Sequence, residues 1–201
     1  MIVMRLDFEQ SRLERARAAL SGVRGGAETA VCRALNKAVK HARTASVRYI
    51  CENYNIRPSE ARKNLTVSLA SRNKQNAQLV QKGSPLALSK FLIAPKKPPN
   101  QKGKKPEARA RTIAGVRFGT RKELPHAFVA RTRNGHLGVW SRAPEKGRRA
   151  IRQRYTTSVP QMLNNKAVMK RLDEEARQIM SAELDRQVDL ILSGREKGKK
   201  S

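Results

Sequence analysis

Acidic residues, aromatics, cysteines and long apolar runs are all scarce in this chain, and each shortage removes a class of protein. Aspartate and glutamate number 16 against 44 lysines and arginines, a formal charge of +28 over 201 residues. A field of that sign favours polyanions or acidic protein surfaces as neighbours and says nothing about fold. Aromatic residues make up 4% and apolar residues 38% of the chain, a thin supply for a self-sufficient core. Either much of the chain stays loose or neighbouring subunits complete its burial, and the patterned placement of the apolar residues favours the second.

Nowhere do eighteen apolar residues run together, which excludes a membrane-spanning helix. The opening MIVMRLDFEQ reaches Asp7 and Glu9 soon after four apolar residues, unlike a signal peptide, so a cytoplasmic start is expected. Cys32 and Cys51 fall in one expected helix, roughly 28 Å apart at about 1.5 Å per residue, too far for an intrachain disulfide. They read as reduced core or interface residues.

Catalytic constellations are equally absent. His41, His126 and His136 have no zinc spacing with the two cysteines, and there is no phosphate-cradling glycine loop and no Gly-x-Ser-x-Gly elbow. Six of the sixteen acids lie in the last helical segment, spaced for ion pairs with its bases rather than clustered for a metal-dependent nuclease. The residues therefore point to no enzyme, no cofactor, no metal and no small-molecule substrate.

What is present is organised. Residues 9–21 read as a short helix broken by Gly22, Gly25 and Gly26. Ala27, Val31, Ala34, Leu35, Ala38, Ala42, Ala45 and Tyr49 then recur at three and four, predicting a long helix over about 27–53 whose alanine-rich face suits close approach of another helix. Its other side carries Arg33, Lys37, Lys40 and Arg48. That stripe reads either as a solvated face or as a contact for nucleic acid or an acidic partner. Pro58, Ser59 and Glu60 start a short helix to about 64, and the texture from 65 to 94 favours strands.

Residues 95–110, PKKPPNQKGKKPEARA, predict an extended basic loop, ordered only in an assembly or not at all. Lys96, Lys97, Lys102, Lys104, Lys105 and Arg109 are its candidate contacts to DNA or an acidic partner. In RTIAGVRFG, Thr112, Ala114, Val116 and Phe118 alternate on one side of a half-buried strand.

The hairpin HAFVARTRNGHLGVWSR turns on Asn134-Gly135, the pair that suits a two-residue type I′ loop. Pairing outward sets Ala130 opposite Val139 and Val129 opposite Trp140. Phe128, Ala130, Thr132, Leu137 and Val139 then face the core, while Val129, Arg131, Arg133, His136 and Trp140 face out. Trp140 among arginines reads either as a subunit-interface anchor or as a ring shielded by Arg131. Val129, Arg131, Arg133, Trp140 and Arg142 are the interface candidates. After a basic turn, SVPQML leads into a long amphipathic helix ended by Gly194, with Lys170 and Glu174, and Asp173 and Arg177, placed to pair.

These parts predict an α+β fold: a long N-terminal alanine-rich helix, a small antiparallel sheet with a basic extended arm, and a long C-terminal helix. The expected organisation is a helical extension over 1–26, one domain over 27–192 and a basic tail over 193–201.

RALNKAVKHARTASVRYICENYNI, PLALSKF, AFVARTRNGHLGVWSR and SVPQML occur in the order of the minor tail protein Z family of long-tailed bacteriophages and prophages, which this chain resembles over roughly 27–192. The hairpin segment is the most specific element. Where the family shows a proline-containing R-L-P-I run and an acidic patch, this chain has RRAIRQRY and departs from the pattern. The resemblance implies a structural virion protein at the head-proximal end of the tail. Its expected partners are itself in a ring around the DNA path, neighbouring tail and head-tail connector proteins, and the DNA backbone in the lumen. Assembly would take place in the host cytoplasm. The competing reading is a sequence-nonspecific DNA-binding protein acting through phosphate contacts.

Overall fold

The computed structural model describes residues 2–98, 111–143 and 150–194. Lys102, Lys104, Lys105 and Arg109, most of the expected basic loop, part of the basic turn after Arg142 and the end of the tail lie outside the described residues.

The chain runs β1 (Ile2–Leu6), α1 (Gln10–Ala19), α2 (Gly26–Asn53), α3 (Pro58–Lys63), β2 (Leu65–Ser68) and β3 (Ala77–Gln81). After a 3₁₀ turn at Leu88–Lys90 it continues β4 (Leu92–Ala94), β5 (Ile113–Gly115), β6 (Lys122–Glu123), β7 (Ala127–Arg131), β8 (Leu137–Arg142) and β9 (Ile151–Gln153). It ends with α4 (Val159–Leu163) and α5 (Lys166–Leu192). This is the expected α+β architecture with a long helix near each end, though the strands form three small antiparallel sheets rather than one.

The chain divides into two compact units. The first comprises residues 1–46, 65–82 and 163–201, and its sheet has the order β1-β3-β2. Met4 stands opposite Leu79 and Leu6 opposite Ala77, so the buried residues of β1 and β3 share one face. The N-terminal segment therefore contributes a strand as well as a helix, a strand the sequence reading omitted. Along α2, Ala30, Ala34, Leu35, Ala38, Val39 and Ala42 are essentially inaccessible, as alanine at close approach requires. Asn36 bonds both the N–H and the C=O of Ala70, fixing the loop after β2 to this helix.

The second unit, residues 47–64 and 83–162, packs two three-stranded sheets, β4-β5-β6 and β7-β8-β9, around Leu88, Ile93, Ala114, Val129 and Val139. The Thr112 hydroxyl donates to the carbonyl of Ala127 at 2.9 Å and ties the sheets together. Thr112 and Ala114 point inward as expected, but Phe118 is 71% exposed, because the strand ends at Gly115 and a tight turn carries the phenylalanine out.

Candidate interaction surface

The hairpin of β7 and β8 forms where Asn134-Gly135 predicts it, with a different loop. The N–H of Thr132 bonds the carbonyl of His136 and the N–H of Gly135 bonds the carbonyl of Thr132, both at 2.9 Å. Gly135 has φ +77° while Asn134 stays out of the positive region. This is a three-residue loop closed by a left-handed glycine, not the type I′ turn. The extra loop residue slides β7 by one position: Val129 stands opposite Val139, Ala130 opposite Gly138 and Phe128 opposite Trp140. A one-residue slip moves every side chain of a strand to the other face.

Val129 is therefore buried in the core and is removed from the interface candidates. Phe128, expected inside, joins Trp140 on the outer face. There the row Phe128, Trp140 and Gln153 crosses three strands, because β9 adds to the edge of β8 where the sequence reading placed only a turn. The Trp140 indole lies across Gly138, and its Nε1–H donates to the carbonyl of Ala130 at 3.2 Å. The His136 ring meets it edge-on at 6.4 Å.

The cation on this face is not Arg131. Arg142 sits 5.9 Å above the Phe128 ring, whereas Arg131 donates to the carbonyl of Gly135 at 2.9 Å and braces the loop. Arg133 is exposed within that loop. Tyr155, 57% exposed, donates to Oε1 of Gln153 at 3.1 Å, and Nε2 of Gln153 lies 2.9 Å from His136 Nε2. With its oxygen accepting from tyrosine, the amide presents N–H to the imidazole, which accepts at Nε2. Ile151 and Tyr155 leave apolar surface open beside this network.

Part of the basic stripe of α2 is committed to α5. Arg33, Lys37, Lys40 and Arg48 are all exposed as expected, yet two of them reach α5. Lys37 Nζ pairs with Glu183 at 2.5 Å, and Arg33 donates to Gln187 Oε1 at 3.2 Å. Glu183 is 4% exposed and also receives Arg186 and the Gln187 amide. Its carboxyl is held down at about 2 from an ordinary 4.5, first by the Arg186 guanidinium and then by Lys37 and Gln187, against the opposing effect of burial. No sequence signal separates this buried acid from its exposed neighbours except its place on the apolar side of α5. The pairs Lys170 with Glu174 and Arg177 with Asp173 form on the surface as expected. Lys96 and Lys97 are exposed. Among the described residues no three histidines, cysteines or acids converge on a metal position, and no helix is long and apolar enough to cross a membrane.

Fold and surface define a strongly basic α+β protein built from two long helices and small antiparallel sheets, with Phe128 and Trp140 paired across one sheet face. The chain matches the family model of prophage minor tail protein Z over residues 12–194 and belongs to that family of phage tail structural proteins. No curated protein and no solved structure matches it.

Proposed function

We propose that this protein completes the head-proximal end of the tail of a long-tailed phage as a homo-oligomeric ring around the DNA path, and so supports the joining of head to tail. The observation that carries the reading is the outer face of the β7-β8-β9 sheet. Trp140, Phe128 and Arg142 are locked there by strand pairing and by the Trp140 hydrogen bond, beside exposed Ile151 and Tyr155. Tryptophan, tyrosine and arginine are the residues that dominate the buried centres of interfaces. A ring repeats one heterologous contact until rotation closes it, so one rigid patch per subunit suffices. Phe128, Arg133, Trp140 and Arg142 are the interface residues of this proposal; Arg131, which the slip carries to the Val129 side opposite Leu137, is not among them.

The copy number of the protein in purified, nuclease-treated particles, counted by quantitative mass spectrometry against the portal and tail-tube proteins, tests it. A small fixed number matching a ring symmetry supports the reading, and absence from finished particles overturns it. The exposed cations Lys40, Lys96 and Lys97 favour a second reading, sequence-nonspecific DNA binding through phosphates.

A further inference from the structure

A groove of about 530 Å³ opens in the second unit, on a part of the surface that the hairpin face does not use. Its lining is mixed, with Ile56, Leu92 and Leu137 apolar and Tyr54, Asn55 and Ser89 polar, and no acid is among the described residues that line it. Arg57 and Lys96 on its margin are exposed. Lys90, also on the margin, is occupied by an ion pair with Glu60 at 2.7 Å.

Phe118 stands at this groove with 71% of its surface in water. Its backbone is anything but loose. The N–H of Phe118 bonds the carbonyl of Asn53 at 2.9 Å, and the Asn55 amide donates to the carbonyls of Gly115 and Arg117. Thr120 closes the turn by bonding the carbonyl of Arg117 through both its N–H and its hydroxyl, with Gly119 at φ +72°. A large aromatic ring held out in water on a pinned turn, beside a part-apolar groove with a cationic margin, is a built contact surface.

We propose that this groove docks an extended acidic segment of another virion protein, seating one large apolar side chain against Phe118 and pairing its carboxylates with Arg57 and Lys96. Charge complementarity selects this occupant. A second copy brings its own +28, and its Asp7-Phe8-Glu9 stretch already faces Arg177 within its own subunit. The phosphates of a nucleic-acid duplex would gain nothing from Ile56, Leu92, Leu137 or the Phe118 ring, which belong to the apolar part of the lining. The inference goes beyond the ring and is tested on the free, full-length subunit, so its failure leaves the ring reading standing.

Cys51 lines the groove and supplies the reporter, while buried Cys32 of the first unit serves as the internal control. Burial pushes the Cys51 thiol up, with the Glu52 carboxylate adding to it, so labelling is slow enough to follow by maleimide and peptide mass spectrometry. The probe is an acidic pentapeptide with a central phenylalanine. It is expected to slow labelling of Cys51 saturably and to leave Cys32 unchanged, whereas the same peptide with central alanine, or with lysines for its acids, protects at least about tenfold less well. Phe118→Ala, at a solvent-exposed position that folding does not require, is expected to weaken protection by about tenfold, and so is Arg57→Glu combined with Lys96→Glu. Absence of protection overturns the proposal, as does equal protection by the lysine peptide. Protection by an oligothymidylate as strong as that by the acidic peptide assigns the groove to single-stranded nucleic acid and overturns it too.

Discussion

A methyl group in place of the hydrogen of Gly138 would lie 2.7 Å from Nε1 of Trp140. The indole would have to swing off the strand and give up its bond to Ala130. Because Trp140 is the single tryptophan of the chain, Gly138→Ala is expected to shift the emission to longer wavelength and to cost about 1–2 kcal/mol in urea unfolding. An unchanged spectrum would show that the glycine is not what places the ring. Glu183 is the second residue on which much depends. Its folded value, about 2, lies below the unfolded 4.5, so its contribution is complete above about pH 4.5 and drains away as pH falls toward 2. The shift corresponds to about 3 kcal/mol. Glu183→Gln is expected to lose up to that amount at neutral pH, moderated because Lys37 and Arg186 are 55% and 56% exposed and can hydrate. Its stability should also fall less steeply on acidification than that of the unmodified protein. Parallel acid limbs in urea titrations of the two proteins would contradict this account.

Among the elements, the helices were the most legible. α2 and α3 begin and end within a residue of the sequence expectation and α1 within two, since glycine and proline punctuation and three-four periodicity are local signals. Strands that depend on distant partners were not. β1 is too short to show an alternation, and β9, with Arg152 and Gln153, has too little apolar character to announce itself. The hairpin lay between these cases: Asn134-Gly135 fixed its place, but two loop lengths suit that pair and their registers differ by one residue. That single ambiguity exchanged Val129 for Phe128 on the outer face, so Trp140 and Arg142 were legible as surface candidates while Phe128, Gln153 and Tyr155 were not. The loop type has its own test. Only Gly135 holds a positive φ here, so Gly135→Ala is expected to cost about 1 kcal/mol while Asn134→Ala costs well under half of that. Comparable losses at both positions in thermal unfolding would restore the type I′ turn and the register that goes with it.

For the whole molecule, charge is the property that composition states and sequence pattern cannot distribute. Between Lys166 and Asp189, five bases meet six acids, so the remainder of the chain carries the whole excess of +28. Part of the α2 stripe is internally committed, through Lys37 to Glu183 and Arg33 to Gln187, while the stretch from Lys96 to Lys122 holds ten bases and one acid, a local +9. If the protein meets DNA phosphates, that stretch should dominate the contact and the two committed cations should contribute little. Counterion release makes the logarithm of affinity fall linearly with the logarithm of salt, by about 0.9 for each phosphate neutralised. Replacing Lys96, Lys97, Lys102, Lys104 and Lys105 together by glutamine is therefore expected to reduce the slope by up to about 4.5, whereas Arg33→Gln with Lys37→Gln should change it by less than about 1. Filter-binding titrations on random-sequence duplex DNA across a salt series decide the matter. An unaltered slope in the five-lysine variant would take this stretch out of DNA contact and leave its charge for acidic protein neighbours in the tail.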